Sequence, residues 1–159
     1  MSQRDKADDR NDADRPGGRL LTVSNAAVGG LVRLGAAPRG CHELSVSGRT
    51  SGRITTRPVN VLEWAGHRYL LSPRGDTQWV RNVRVSGEAT LRRGRRTEAV
   101  ELTELADGVK PELIREYLRR WGWQVKAFVD GLTAESSDAE LAGAASRFPV
   151  FELVPSAAD

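Results

Sequence analysis

From His42 onward the chain alternates apolar and polar residues with a period of two, and later changes to helical spacing. In HELSVS, Leu44 and Val46 fall on one side, which predicts a strand. ITTRPVNVLEW, 54–64, is rich in β-branched residues and predicts a second strand. Pro58 within it must stand at an edge, a bulge or a bend, because it has no N–H for a central ladder. Ala65-Gly66 predicts a tight turn, HRYLLS, 67–72, a third strand, and PRGD, 73–76, its end. TQWVRNVRV, 77–85, fits one or two helical turns, with Trp79 and Asn82 three apart on a shared face. EATLRRGRRTEAVELTEL, 88–105, reads as strand, turn at Gly94, strand. KPELIREYLRRWGWQVKAFV follows, with Leu113, Ile114, Tyr117, Leu118, Trp121, Val125 and Phe128 at helical spacing. Pro111 and Glu112 suit the start of that helix. DAELAGAASR, 138–147, predicts a second helix and FPVFELV, 148–154, a closing strand.

The N-terminal part reads differently. Residues 1–19 mix both charge signs, end in Pro16-Gly17-Gly18 and bury too little apolar surface to order themselves; they predict a disordered tail. Residues 24–35 predict a short helix capped by Ser24, against the preference of Gly29 and Gly30. Residues 20–155 then make a single domain and 156–159 a short tail. Strands come first, helices after, and one strand returns. That order predicts an α+β, mainly β, fold: a small barrel with packed helices rather than alternating βαβ units.

Composition narrows the chemistry. No apolar run reaches the length of a membrane-spanning helix, and the first residues lack the apolar stretch of a secretory signal. Cys41 is the single cysteine, which excludes a disulfide framework and a thiolate metal cluster; a cytoplasmic location is the expectation. The formal charge is only +3, yet between positions 49 and 96 eleven arginines face three acids, Glu63, Asp76 and Glu88. Such a field suits a phosphorylated or carboxylated ligand, or nucleic acid bound at Arg92 to Arg96. A merely solvated arginine-rich face is the plainer alternative.

His42 and His67 are the only histidines and read as ordinary strand residues. No G-x-S-x-G elbow, Walker A loop or metal-ligand spacing occurs. Cys41 has no adjacent base and reads as a buried thiol. No residue is assigned a catalytic role, so an enzyme of this kind would take its hard chemistry from a cofactor. The turn in VSGRTSGRITTRPV has the parts of an anion-binding device. Gly48 and Gly52 allow close approach and unusual dihedrals. Ser51 can donate a hydrogen bond, and Arg49 and Arg53 can make charge-assisted bonds, with Arg57 on the same strand face as Arg53. In SPRGDTQWVRN, Trp79 could wall a flat ring and Asn82 could bond its polar edge, although core packing and local capping are the plainer roles.

Taken together, LSVSGRTSGRITTRPVNVL, GHRYLLSPRGDTQWVRNVRVSGEATL and FPVFEL resemble the deazaflavin-dependent nitroreductase family over roughly residues 42–154. That resemblance implies the split β-barrel seen in pyridoxamine-phosphate oxidases and implies coenzyme F-420, a deazaflavin with a phosphate and a polyglutamate tail. Flavin mononucleotide (FMN) is the alternative. By the family's motif, Gly48, Arg49, Ser51, Gly52 and Arg53 would hold phosphate and tail. Thr55, Thr56 and Pro58 would lie under the ring, Ser72, Pro73, Arg74 and Gly75 would approach its edge or the tail, and Trp79 and Asn82 would complete the pocket. Thr50 departs from the Lys or Arg frequent in the family, a loss that Arg57 or Arg74 would offset. Tyr117, Trp121 and Trp123 are near the family's substrate-shaping aromatics by location only; for Tyr117 and Trp121 the core is the expected place. The implied reaction is hydride transfer to a quinone or nitroaromatic-like acceptor, by a protein that could pair through an open barrel edge into a homodimer.

Overall fold

A computed structural model describes residues 39–157. The predicted tail 1–19 and helix 24–35 lie outside the described residues. Six antiparallel strands, β1 (Cys41–Ser47), β2 (Ile54–Trp64), β3 (His67–Leu71), β4 (Glu88–Arg93), β5 (Arg96–Glu104) and β6 (Val150–Pro155), close a barrel in the order β1-β2-β3-β6-β5-β4. Three helices accompany them: α1 (Gln78–Ser86), α2 (Pro111–Val125) and α3 (Asp138–Ala144). The fold is α+β, mainly β, a split barrel with packed helices.

Strand alternation sorts the apolar residues into two cores. Leu44, Val46, Val61, Leu70, Leu91, Val100 and Phe151 point into the barrel, where α1 inserts Trp79, Val80 and Val83. Their sequence neighbours Leu62, Leu71 and Val150 point outward and are covered by Leu113, Ile114, Tyr117, Leu118 and Trp121 of α2 and by Leu141 of α3. Each helix has a local cause. Pro111 sits at the start of α2 with Glu112 in its first turn, and Ser137 and Glu140 form a capping box at α3. Both helices end sooner than their spacing predicts. A 3₁₀ turn takes over at Lys126–Phe128 and another at Ala145–Arg147. Beyond the first, Asp130 and Gly131 turn the chain at φ of 48° and 77°, so Phe128 leaves the buried stripe and is 37% exposed.

The barrel is split beside Pro58. β2 pairs with β1 from Ile54 to Asn60 but with β3 only from Val61 to Trp64. The Ala65-Gly66 turn has positive φ at both residues, as a type I′ hairpin turn requires. In that hairpin the even-numbered residues of β2 direct their backbone groups toward β3. Pro58 therefore lacks an N–H where β2 has no partner to receive one.

Arg68 on β3 reaches across β6 to grip Glu98 on β5 with two bonds, of 2.8 and 2.7 Å. The Arg68 hydrogen bonds hold the Glu98 carboxyl below its ordinary value, outweighing partial burial, and the Arg68 and His42 charges add to them. A depressed carboxylate stabilises the fold above its unfolded pKa, about 4.3, and loses that contribution as pH falls through the lower folded value. Glu98→Gln should thus lower the melting temperature at neutral pH, and its deficit against wild type should vanish in acid. A deficit constant across a pH series of thermal melts would contradict this.

Candidate functional site

The sequence-predicted residues gather along the split. Between β1 and β2, the Gly48 N–H donates to the Arg53 carbonyl at 2.8 Å and the Gly52 N–H to the Gly48 carbonyl at 2.9 Å. A Cβ at Gly48 would lie 2.9 Å from Ser51 Oγ and 3.2 Å from the Arg53 carbonyl oxygen, and Gly52 has φ +70°, so the turn favours glycine at both positions. Ser51 Oγ accepts from the Arg53 N–H at 3.2 Å, which leaves its O–H able to donate.

The turn leans on α1. Arg49 Nη1 donates to Gln78 Oε1 and to Asn82 Oδ1, each at 2.9 Å, and the Arg49 N–H donates to the same Asn82 oxygen at 3.2 Å. Asn82 is buried. These partners are neutral: they orient the guanidinium without cancelling its charge. Gln78 was absent from the predicted set, although a polar pair four residues apart on one helix, Gln78 and Asn82, was a readable signal.

Beyond the turn, Thr55, Thr56 and Arg57 run exposed along the open edge, with Pro58 half-buried behind them. Thr56 Oγ1 bonds Ser45 Oγ at 2.9 Å and Thr55 Oγ1 donates to the Val46 carbonyl at 3.4 Å. The Ser72–Gly75 loop, which continues from β3, forms the facing lip. Ser72 is buried; its N–H donates to the Pro149 carbonyl at 2.9 Å and its Oγ to the Gly75 carbonyl at 2.6 Å. It thereby holds the Pro73–Gly75 bend, in which Gly75 has φ +79°. Trp79 stands apart from the lips, buried in the barrel against Phe151 with ring centres 5.8 Å apart.

The arginines divide into two groups. Arg68 is neutralised by Glu98, Arg81 by Asp76, and Arg84 by Asp76 and Glu104. Arg92, Arg95 and Arg96 of the β4–β5 hairpin meet no carboxylate among the described residues, and neither do Arg49, Arg53, Arg57 and Arg74. Those four are the cations of the turn and lips. Desolvation, and after it the charge of Arg74, push the Arg57 guanidinium below its ordinary value although its side chain reaches solvent. Arg74 stacks on Phe128, its Cζ 4.2 Å from the ring centre. Nothing in the helical spacing of Phe128 announced that contact.

Two hollows of about 290 and 360 Å³ lie elsewhere, at Glu63–Arg68 and around Asp130–Arg147, and neither borders the arginine turn. The site of a single chain is an open edge with charged lips. His42 and His67 are strand residues, the first bonded to the Gly40 carbonyl at 2.8 Å and the second to Glu152 at 2.6 Å. Cys41 is buried. Tyr117 and Trp121 pack in the outer core, whereas Trp123 is 76% exposed. No group of His, Cys, Asp and Glu among the described residues is placed to hold a metal, and no helix among them is long and apolar enough to cross a membrane.

No family model matches the sequence, and no curated protein matches it. Solved structures share the fold. One, described as a domain-swapped dimer, is 13% identical with a TM-score of 0.51, over 87% of this chain and 96% of that one. A protein of unknown function from Agrobacterium tumefaciens is 16% identical with a TM-score of 0.55 over 93% of this chain, which spans 60% of its length. An F-420-H2 dependent reductase is 17% identical with a TM-score of 0.49, over 73% of this chain and 95% of that one.

Proposed function

We propose that the chain is a split-barrel oxidoreductase that binds a flavin-like cofactor, specifically the deazaflavin coenzyme F-420, and reduces an electron-poor acceptor such as a quinone or nitroaromatic. The observation that carries this reading is the division of the arginines. Arg49 and Arg74 are oriented by neutral partners, and all four cations of the turn and lips are left without acids among the described residues, the arrangement expected of a site that an acidic ligand completes. The residue resemblance names that ligand.

The donor set fits the acidic part of the group. Arg49, Ser51 and Arg53 would hold phosphate and tail, with Gly48 and Gly52 keeping the turn open to approach. Thr55, Thr56 and Pro58 would lie beneath the ring along the unpaired edge of β2, and Pro73, Arg74 and Gly75 would flank it. When bound, the reduced coenzyme supplies hydride to the acceptor. The chain's own part is to bind and orient: the Arg49 guanidinium, held by α1, sets the position of the acidic handle, and the strand edge sets the plane available to the ring. Ser72 and Asn82 are engaged within the protein, so their role is to hold the lip and Arg49. A second copy of the chain would close the open side and exclude water; Ile54, 64% exposed on that edge, is apolar surface such a contact would cover. A fold neighbour described as a domain-swapped dimer is consistent with pairing.

Titrating the purified protein with coenzyme F-420 while following its fluorescence should give saturable binding, and sedimentation equilibrium should give a dimer. Absence of saturation, with tight binding of FMN instead, would move the assignment to a flavin oxidase. A strict monomer that binds the deazaflavin would remove the second copy from the site.

A further inference from the structure

The arginines of the β4–β5 hairpin stand at the end of the barrel away from the glycine–arginine turn. Arg93 Nη1 donates to the Cys41 carbonyl at 2.9 Å and Arg93 faces Arg96 across the hairpin, so the tip lies beside the start of β1. β1 runs from Cys41 to Ser47, where the other turn begins, roughly 20 Å along a strand of that length. The C-terminal half of α2 lies at the hairpin's end. Trp121 covers Gly40 so closely that a Cβ there would lie 2.5 Å from its ring. Asn60, opposite Cys41 in the β1–β2 register, donates to Gln124 Oε1 at 3.0 Å, and Arg120 Nη2 donates to the Glu63 carbonyl at 2.9 Å. This end therefore displays Arg39, Arg92, Arg95, Arg96, Arg120 and Lys126, all exposed and none paired with a carboxylate among the described residues. Of its acids, Glu98 holds Arg68, Glu152 holds His67, Glu43 is buried opposite Arg92, and Glu63 is exposed. Trp123 stands among these cations, 76% exposed. Three and four positions to either side of it are Arg119, Arg120, Lys126 and Ala127, with no acid; of these, Arg119 is engaged by Glu116.

We propose that this end of the barrel docks on an anionic phospholipid surface, with the hairpin and α2 cations on the headgroups and the Trp123 indole in the interface. A cluster of this many cations matches the charge of such a surface, and an indole with an apolar body and a polar N–H suits the headgroup level. A nucleic-acid strand is the other polyanion that cations and an aromatic could meet, but it is held by a groove that tracks its backbone. A hairpin tip and a helix end are convex, which fits a flat partner. The surface lies away from the split, so docking leaves the proposed cofactor site open and needs no ligand there.

The full chain, without coenzyme, should co-sediment with vesicles of equal parts phosphatidylserine and phosphatidylcholine and not with phosphatidylcholine alone. Salt of roughly 0.5 M, which shortens the screening length to a few ångströms, should release it. Replacing Arg92, Arg95 and Arg96 together by Gln should weaken binding roughly 100-fold, about fivefold for each charge, while the same three changed to Lys should keep most of it. Thermal melts of both triple variants should match wild type, because the three side chains are exposed. Brominated lipid should quench part of the tryptophan fluorescence, and Trp123→Phe should abolish that quenching while the protein still binds. Arg49→Gln should bind vesicles as wild type does. No binding to the anionic vesicles, equal binding to the neutral ones, or full binding by the folded Gln triple variant would overturn the proposal. Quenching that persists in Trp123→Phe would overturn the place given to the indole, and loss of binding in Arg49→Gln would overturn the separation from the turn. Tighter capture of a single-stranded oligonucleotide, lost in the Gln triple variant, would overturn the bilayer as the partner and give this surface to nucleic acid.

Discussion

Arg49→Ala is expected to weaken deazaflavin binding by about 1.5–3 kcal/mol, roughly 10- to 150-fold, the range for a hydrogen bond to a charged group. Its effect on folding should be small, because the Arg49 backbone N–H that satisfies buried Asn82 is retained in alanine. The guanidinium itself is bound only to two neutral oxygens, those of Gln78 and Asn82, and both come from α1. Its position is fixed before a ligand arrives, so little ordering entropy opposes binding. Arg49→Lys should recover only part of the loss: an ammonium keeps the charge but lacks the planar fork that spans two acceptors while presenting further donors outward. Fluorescence titration of the three proteins, with thermal melts to confirm folding, measures both quantities. Binding of oligonucleotides at the 92–96 turn should be untouched by Arg49→Ala. An unchanged deazaflavin affinity in Arg49→Ala, together with a loss in Arg95→Ala, would transfer the anion site to that hairpin.

Some of this arrangement was legible in residues read one after another. The bounds of β2 follow from a β-branched run set between a glycine turn and Ala65-Gly66, and the structure places the strand at Ile54–Trp64. Pro58 announced an edge, and the split lies beside it. The two faces of β2 and β3 also follow from alternation, since Val61 and Leu70 point inward while Leu62 and Leu71 point to α2. What could not be read was set by distant partners. Eleven arginines look alike in sequence, but Glu98 selects Arg68 from 30 positions away and Glu104 selects Arg84 from 20. Those pairings, with that of Arg81, remove the arginines of β3 and α1 and leave two candidate groups, the turn and lip cations and the 92–96 hairpin. Phe128 shows a different limit. Helical spacing reports angle around an axis, and the axis ends at Val125, so a residue on the right angle leaves the core and meets Arg74 instead. Trp79 and Asn82 share a helix face as predicted, yet one reaches the barrel interior and the other the turn.

Phe151→Ala is expected to cost about 3–5 kcal/mol of stability, the range for removing a buried aromatic from a packed core. Phe151 is among the largest fully buried side chains and lies on β6, the strand that joins β3 to β5. It pairs with Leu70 on one side and Glu104 on the other, and its ring packs against Trp79. The cavity left by alanine would therefore open under the residue that anchors α1 in the barrel. A domain of this size has a total stability of about 5–15 kcal/mol, so the variant should stay folded at low temperature while its urea midpoint falls sharply. The loss should also reach the site. Trp79 and Asn82 are three residues apart on α1, and Asn82 positions Arg49, so a loosened helix weakens deazaflavin affinity without any change in the arginines. Phe151→Leu, which refills part of the space, should restore more of the affinity than its share of the stability if helix position is what matters. A loss below about 1 kcal/mol, outside the range for core aromatics, would mean that Phe151 does not hold the barrel closed. Full stability loss with unaltered ligand affinity would instead uncouple α1 from the grip on Arg49.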